Sequence, residues 1–330
     1  MAGFDLISAK ELMFEVIPDV PWVIEGLLGT GLHIFGGDSK ISKSWLVYDM
    51  ALEVAHGQDF WGYKTNRCEP LYLSLEDTKR RLQDRLWELT DEVCGDVKIT
   101  TSAPRLDNGR IDMLTEHVAE NENAKLIIID TYQRVRSLGN DGSYINEYEE
   151  LMSLKNFADE NDISIVVVHH NSKQRYDDPF RNLLGSTALQ GASDGMFVLT
   201  KDLKAPRTVV LNATGRDIES VTLKLQFSSH HWAVIEKLDA EERERESVPQ
   251  AVLSVCQFIK ATNAGWTGNA AELVEAVGLD SVKPAVLGKY LAQYRTYLLG
   301  EGVSYAREYT RSGNIIVLGL ITDCEGCEGK

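Results

Sequence analysis

The chain has 330 residues, of which 34 are basic and 50 acidic, so its formal net charge is −16 at neutral pH. This length predicts two domains, and the contents of 43% hydrophobic and 25% charged residues exclude a disordered or fibrous chain. The acidic total argues against a protein that coats DNA, because such proteins bind by neutralising many phosphates. It leaves room for contact with nucleic acid through a local groove or an assembled channel.

Nothing in the sequence indicates export or membrane insertion. No apolar run reaches the roughly 18–20 residues that cross a bilayer. Residues 1–20 lack the basic start and apolar centre of a signal peptide. The five cysteines are too few, and odd in number, for a disulfide framework. We therefore expect a soluble, cytoplasmic protein without membrane contact.

Short apolar runs alternate with amphipathic stretches between residues 32 and 200. The predicted strands are LHIF (32–35), LYLSL (71–75), VKIT (97–100), KLIIID (125–130), ISIVVVHH (163–170) and GMFVLT (195–200). The stretches with helical spacing are 44–57, 78–93, 111–123 and 145–161. Nearly continuous apolar strands are typical of sheets covered on both faces. The alternation predicts an α/β fold with a mostly parallel sheet flanked by helices.

The pattern changes after residue 207. Three strand-like runs, RTVVLNATG, SVTLKLQF and HWAVIEK, follow one another without helices and predict an antiparallel extension of the sheet. A dense charge run predicts a linker, 237–249, between a first domain, 1–236, with an N-terminal extension, and a second, 250–330. In the second domain three helical stretches and two strand-like runs predict a small winged-helix domain with an acidic tail.

The strongest local motif is GGDSKISKSW (36–45), which follows a predicted strand and opens a helix. It matches the phosphate-loop pattern except that Ser42 replaces the second glycine. In such a loop backbone N–H groups hold a polyphosphate, Lys43 meets the outer phosphates and Ser44 ligates Mg²⁺. The residues expected to hold the nucleotide are Gly37, Asp38, Ser39, Lys40, Ile41, Ser42, Lys43, Ser44 and Trp45. Alone, the motif fits a strand–turn–helix with an incidental Lys-Ser pair equally well.

Polar side chains also follow three other predicted strands. Asp130 ends the fourth strand and fits an acid that holds Mg²⁺ through water, although a buried strand with a capping aspartate fits too. Glu76 follows the second strand, where a carboxylate can orient or deprotonate an attacking water, and Asp77 is expected as a helix N-cap. His169 and His170 end the fifth strand, where a polar group can sense the γ-phosphate. A metal site is the weaker interpretation, because no third ligand has a familiar spacing.

The loop after these histidines interleaves basic with aromatic side chains. They are Lys173, Arg175, Tyr176, Phe180 and Arg181. Such a loop suits single-stranded nucleic acid through phosphate contacts and base stacking, and a solvated surface loop fits about equally well. In the second domain Lys289 and Arg311 are candidates for a recognition helix and a wing. Its nearly balanced charge gives no broad basic footprint, so packing or oligomerisation is the alternative.

Five segments, in this order, resemble the RecA-like AAA_25 family, which includes plasmid and phage RepA-type replicative helicases. They are GGDSKISKSW, LYLSLED with RRLQDRL, LIIIDTYQRVR, VVVHHNSK and LLGSTALQGASD, within residues 20–236. The resemblance implies a RecA-like core that hydrolyses ATP with Mg²⁺. It also implies assembly into a ring, often a hexamer, and action on single-stranded DNA in a bacterial cell or phage-infected host.

The resemblance also implies roles for individual residues, carried over by position. Lys43 and Ser44 would contact phosphate and Mg²⁺, and Asp130 would be the Walker B acid. Glu76 would be the catalytic carboxylate, and His170 the strand-end sensor, with the preceding histidine as the alternative.

Two arginines complete the expected site. On resemblance alone, Arg85 would reach phosphate. Arg216 of a neighbouring subunit would stabilise charge on the transferring phosphoryl group, with Arg207 as the alternative. The sequence thus predicts an ATP-dependent motor on single-stranded DNA, a replicative helicase of a phage or plasmid. The alternatives are a nucleotide-gated DNA-binding initiator or recombination mediator without unwinding activity, and an ATP-independent scaffold with a decayed loop.

Overall fold

The computed structural model describes most of the chain. The described residues are 6–16, 21–92, 96–106, 109–136, 144–172, 176, 178–183, 188–202, 205–238, 248–279, 282–310 and 313–321. The chain divides into two compact units, Met1–Leu238 and Asp239–Lys330. Most of the expected linker, 237–249, and the expected acidic tail lie outside the described residues, so both stay predictions. None of the described helices combines the length and apolar character needed to span a membrane.

The first unit alternates helices with strands. In chain order its elements are α1 (Ala9–Phe14), β1 (Trp22–Ile24), β2 (Leu28–Gly29), β3 (Gly31–Gly37), α2 (Lys43–His56), β4 (Leu71–Ser74), α3 (Lys79–Leu89), β5 (Lys98–Thr100), α4 (Arg110–Glu120), β6 (Leu126–Asp130), α5 (Tyr144–Glu160), β7 (Ser164–His170), α6 (Pro179–Asn182), α7 (Ala188–Ala192), β8 (Gly195–Lys201), β9 (Thr208–Gly215), β10 (Val221–Ser228) and β11 (His231–Leu238).

Within the described ranges, nine strands of this unit form one sheet in the order β11-β10-β9-β8-β3-β7-β6-β4-β5. The strands from β8 to β5 in this order pair in parallel. Strands β9, β10 and β11 extend the sheet antiparallel beyond β8. The mostly parallel α/β core and its antiparallel extension are therefore confirmed. The carboxyl ends of the parallel strands meet at one edge of the sheet, and β9 runs from that edge to the other.

Both faces of the sheet are buried. Along β6, Leu126 and Ile128 pack into a cluster with α2, whereas Ile127 and Ile129 pack into another with α5. Successive side chains of a strand point to opposite faces. A strand buried on both faces therefore needs an unbroken apolar run.

The second unit has its own core and a small sheet. Its elements are α8 (Gln250–Thr262), β12 (Trp266–Gly268), α9 (Ala270–Val277), α10 (Pro284–Gln293), α11 (Arg295–Gly300), β13 (Val303–Thr310) and β14 (Gly313–Leu320). The described strands pair antiparallel in the order β12-β14-β13. The three expected helical stretches and the hairpin are present. The structure adds the short strand β12 and divides the last helical stretch at Tyr294.

Candidate active site

The segment 38–42 joins β3 to α2 at the carboxyl edge of the sheet. Within it Lys40 and Ser42 have positive φ values of 61° and 60°. Ser42 directly precedes α2, and the described structure shows no capping hydrogen bond from its side chain to the helix. The first N–H groups of α2 are thus left to another acceptor, and a helix N-terminus of this kind favours an anion.

The backbone of Ser42 explains why glycine is usual at this position. A left-handed conformation costs a residue with a Cβ roughly 1–2 kcal/mol, whereas glycine adopts it readily. The loop nevertheless takes this conformation with serine. The departure from the motif is therefore a local cost and does not prevent the turn.

Lys43 begins α2 and is buried, with 6% of its surface exposed. Its Nζ donates hydrogen bonds to the carbonyl oxygens of Gly37 and Asp38, both at 2.8 Å. Burial lowers the pKa of Lys43 to about 8, against the opposing effect of nearby carboxylates, of which Asp130 is the largest. The ammonium group is thus held over the loop by carbonyl oxygens.

Asp130, at the end of β6, lies beside the phosphate loop. Its carboxylate accepts a hydrogen bond from the Tyr72 hydroxyl at 3.0 Å, and the Ser44 hydroxyl lies near enough to interact with it. Burial raises the pKa of Asp130, and these two interactions oppose the rise. Tyr72 was not anticipated, since a tyrosine within a strand carries no sequence signal of this contact.

Ser44 and Asp130 fit a magnesium ion. A hydroxyl and a carboxylate side by side are hard oxygen ligands, and Mg²⁺ is usually held by one or two carboxylates together with substrate phosphates. Among the described residues no group of three or more His, Cys, Asp or Glu side chains is placed to hold a metal. A site completed by phosphate oxygens is therefore the arrangement that these residues suit.

Glu76 lies just after β4, at the same edge. Its Oε1 accepts a hydrogen bond from Thr131 Oγ1 at 3.1 Å and lies 3.8 Å from Arg134 Nε. The side chain is 45% exposed. The carboxylate is therefore oriented by two residues that follow Asp130, while part of it stays accessible to water.

The two histidines at the end of β7 occupy different environments. His170 pairs in register with Gly37, and its Nδ1 lies 3.3 Å from Lys43 Nζ. Burial and then the charge of Lys43 lower the pKa of His170. A neutral ring can accept the lysine's hydrogen bond. The ring of His169 instead lies 5.9 Å from that of Tyr132. The structure thus brings His170, of the two, to Lys43.

Asn171 was also missed. Its backbone N–H donates to Gly37 O at 3.1 Å, and its Nδ2 donates to Asp38 Oδ1 at 3.1 Å. This residue therefore joins the end of β7 to the phosphate loop. The only signal in the sequence was a polar residue directly after an apolar strand.

Arg85 and Trp45 contact each other. The Arg85 guanidinium lies 5.4 Å from the centre of the Trp45 ring and forms an ion pair with Asp77. Asp77 is not the helix cap that we expected, because Thr78 precedes α3 and its Oγ1 accepts the N–H of Arg81 at 3.3 Å. Asp77 instead fixes the arginine whose side chain covers the start of α2.

The two candidate arginines of β9 lie at opposite edges of the sheet. Arg216 follows β9 at the amino edge, where its Nη1 lies 3.4 Å from Asp194 Oδ1 and its side chain is 60% exposed. Arg207 precedes β9 at the carboxyl edge and, with Lys40–Ser42, lines a cavity of about 660 Å³. Of the two, Arg207 lies at the same edge as the phosphate loop of its own chain.

The expected DNA-contacting residues are only partly described. Lys173, Arg175 and Arg311 lie outside the described residues. The Arg181 guanidinium lies 4.7 Å from the centre of the Tyr176 ring, and Lys289 is exposed on α10.

The phosphate loop at the start of α2, the acid at the end of β6 and the mostly parallel sheet define a nucleotide-binding protein with a RecA-like core. The sequence model of the AAA_25 family, an AAA domain, matches residues 5–176. The chain therefore belongs to the AAA_25 family. This membership supports an NTP-hydrolysing enzyme. No curated protein sequence matches the chain.

A solved structure shares the fold. One solved ATPase domain is similar with a TM-score of 0.51 at 14% identity, over 63% of this chain and 85% of that one. A KaiC-like protein from the hyperthermophilic archaeon Pyrococcus horikoshii is similar with a TM-score of 0.48 at 15% identity, over 66% and 96% of the chains. At such identities, the likeness to the solved ATPase domain shows the fold alone.

Proposed function

We propose that this chain hydrolyses ATP with Mg²⁺ and uses the energy to move along single-stranded DNA, as a ring-forming replicative helicase of a phage or plasmid. The observation that supports it most is the position of Lys43. It is buried, held by loop carbonyls, and adjacent to the Ser44–Asp130 pair and to Glu76 at one edge of the sheet.

Each residue of this edge has a task in the proposed hydrolysis. Lys43 would exchange its carbonyl acceptors for phosphate oxygens, and Ser44 and, through water, Asp130 would hold the metal. Glu76 orients the attacking water and accepts its proton, and Thr131 and Arg134 fix its carboxylate. Bound Mg²⁺ neutralises phosphate charge.

A ring would complete the site with a cation from the next subunit. We assign this role to Arg216, which is exposed and whose ion pair with Asp194 would have to open. Arg207 is the alternative. A positive charge supplied in trans stabilises the charge that develops on the transferring phosphoryl group.

The proposed DNA contacts lie in both units. The loop after β7 carries Tyr176, together with the undescribed Lys173 and Arg175, and leads into the short helix α6 with Arg181. Asn171 connects the start of this loop to the phosphate loop. A change in nucleotide state could therefore reach this loop.

For the second unit we propose a winged helix. The order α8-β12-α9-α10-α11-β13-β14 supports it, with Lys289 on the recognition helix α10. Arg311, between β13 and β14 in sequence, would lie in the wing.

Four measurements on the full chain test the proposal. They are hydrolysis of Mg²⁺-ATP with and without single-stranded DNA, displacement of a DNA strand, light scattering with both ligands, and calorimetric titration with Mg²⁺-ATP. DNA-stimulated hydrolysis with strand displacement and a ring-sized particle is expected for the motor. Stimulated hydrolysis without displacement would favour the nucleotide-gated initiator or mediator. Absence of heat on titration with millimolar Mg²⁺-ATP would favour the scaffold.

A further inference from the structure

Two arginines of the segment after β6 are held differently. Arg136 lies 3.5 Å from Glu147 Oε1 and 3.7 Å from Glu150 Oε2, and its side chain is 23% exposed. Arg134 lies 3.8 Å from Glu76 Oε1 and is 61% exposed. Exposed ion pairs contribute little to stability. Arg134 can therefore exchange its carboxylate for another anion at little cost, whereas Arg136 would have to leave two carboxylates.

The backbone of Arg134 is fixed although its side chain is exposed. Its N–H donates to the Thr131 carbonyl at 3.0 Å, within a single turn of 3-10 helix, Tyr132–Arg134. The side chains of Tyr132 and Val135 are fully buried and anchor this turn. A change of partner thus requires rotation of the Arg134 side chain and no movement of the turn.

Arg134 and Thr131 both contact the same oxygen of Glu76. Thr131 Oγ1 donates to Oε1 at 3.1 Å, and Arg134 Nε lies 3.8 Å from that atom. Together they turn the carboxylate toward the segment after β6. Without Arg134, Thr131 alone would hold Glu76, and the carboxylate would be free to turn toward the attacking water. A neighbouring cation also makes a carboxylate a weaker proton acceptor, so its withdrawal acts in the same direction.

The segment with Arg134 begins beside the loop that we propose to contact DNA. Strands β6 and β7 are parallel neighbours in the sheet, so the segments that follow them start at the same edge. Tyr176 follows β7, with the Arg181 guanidinium 4.7 Å from its ring centre. An exposed guanidinium at this edge suits a phosphate, which it binds through two parallel hydrogen bonds.

We propose that Arg134 is a positioning residue that exchanges Glu76 for a phosphate of single-stranded DNA and thereby releases Glu76 for hydrolysis. The inference rests on the proposed function and adds the side chain through which the DNA strand regulates the general base. Without DNA the ion pair restrains Glu76, and hydrolysis is slow. With DNA the phosphate takes the guanidinium, Thr131 keeps the carboxylate near the site, and turnover rises.

Arg134→Gln removes the charge and tests this exchange on the full chain. Hydrolysis of Mg²⁺-ATP is measured with and without an oligothymidylate, and fluorescence anisotropy measures oligothymidylate binding at several salt concentrations. We expect kcat without DNA to rise about three- to tenfold and the stimulation by DNA to fall below about twofold. The slope of log affinity against log salt concentration should become shallower by about 0.7, the value for one phosphate of a single strand. A merely structural role would leave this slope unchanged.

Arg67→Gln is the matched control. Arg67 is 67% exposed and pairs with Asp96 at 2.6 Å, and it precedes β4, at the opposite edge of the sheet. This variant should hydrolyse ATP and respond to DNA like the parent.

Two further variants show whether the effect passes through the charge and through Glu76. Arg134→Lys should recover at least about half of the stimulation, since lysine binds phosphate as a point charge. Arg134→Gln combined with Glu76→Gln should hydrolyse ATP as slowly as Glu76→Gln alone, because the two residues act on one step.

Two outcomes overturn this inference while leaving the proposed function in place. One is parental stimulation by DNA, or a parental salt dependence, in Arg134→Gln. The other is a lower kcat without DNA in that variant, which would show that Arg134 aids Glu76 and does not restrain it. If the parental chain hydrolyses no Mg²⁺-ATP, or hydrolyses it at a rate that DNA does not change, the proposed function fails and this inference fails with it.

Discussion

The two edges of the central sheet each hold a largely buried lysine, and the two are bound differently. At the amino edge Lys155 Nζ donates to both carboxylate oxygens of Asp194, at 2.7 and 2.6 Å, and Asp194 also accepts the Leu32 N–H at 3.0 Å. At the carboxyl edge the acceptors of Lys43 include two backbone carbonyls.

The difference fits a structural role for Lys155 and the phosphate-binding role that we propose for Lys43. The charge of Lys155 is matched by a carboxylate fixed in place, so the pair ties α5 to the start of β8. Lys43 is bonded to dipoles, and burial lowers its pKa to about 8. An arriving anion can therefore pair with Lys43 without displacing a carboxylate bonded to it, whereas it would have to displace Asp194 to pair with Lys155.

The largest expected effect is that of Lys43→Ala. Removing the ammonium should abolish measurable ATP hydrolysis and weaken Mg²⁺-ATP binding, with little change in the free energy of unfolding, because no carboxylate bonded to it loses its partner. Steady-state hydrolysis, calorimetry and urea denaturation measure the three quantities. Hydrolysis at the parental rate would show that Lys43 does not take part in the reaction.

Glu76→Gln should preserve nucleotide binding and reduce kcat by about 10²–10⁴-fold, the usual contribution of a general base. The amide can still accept the hydrogen bond of Thr131, so the local structure should persist. A parental kcat in this variant would show that Glu76 is not the general base.

Asp194→Ala tests the amino edge. It leaves Lys155 largely buried without its bidentate partner and should lower the free energy of unfolding by about 3 kcal/mol. The folded variant should bind Mg²⁺-ATP like the parent. Asp159→Ala is the matched control, since its carboxylate also pairs with Lys155 but is 50% exposed, and it should cost less than about 1 kcal/mol. Urea denaturation measures the free energy of unfolding of both variants, and equal losses for Asp194→Ala and Asp159→Ala would contradict the prediction.

The affinity for Mg²⁺-ATP should depend on pH through Lys43. Only the charged amine attracts phosphate, and burial lowers its pKa to about 8 in the free protein. Affinity should therefore be highest below pH 8 and fall above it, by at most about tenfold per pH unit for a single proton. Calorimetry between pH 7 and 9.5 measures the slope. Lys43→Arg should abolish it, because arginine stays charged throughout.

Ser42→Gly should have the smallest effect. It relieves a left-handed backbone and should raise the free energy of unfolding by up to about 1 kcal/mol, partly offset by the greater freedom of glycine in the unfolded chain. Ser39→Gly is the control, because Ser39 is not among the residues with positive φ, and it should lower stability. Thermal or urea denaturation measures the stability of both variants. Higher stability of Ser39→Gly, or lower stability of Ser42→Gly, would contradict the prediction.

Much of the core was predictable because burial determines which positions of a strand or helix are apolar, and this pattern is visible in the sequence. Strand β6, buried on both faces, must be continuously apolar, and the run 125–130 shows it. Lys43, Asp130 and Glu76 follow predicted parallel strands, and topology alone brings such strand ends to one edge.

Side-chain contacts between residues far apart in the sequence produce no such pattern. Nothing in the sequence indicates that Tyr72 donates to Asp130 or that Lys155 pairs with Asp194. The strand Trp266–Gly268 is too short for alternation to show. Thr78 and Asp77 are both common capping residues, and only the backbone shows which of them begins α3.

Trp45 belongs to the helix that follows the phosphate loop, and Trp232 contacts the loop itself. Trp45 contacts both the Arg85 guanidinium and the His230 ring, and Trp232 donates to the Ser42 carbonyl. The unlabelled chain thus carries two intrinsic fluorophores at the place where a ligand would arrive. Their emission offers a direct optical signal for rapid-mixing experiments, and replacing each indole by phenylalanine in turn would assign that signal to one side of the loop.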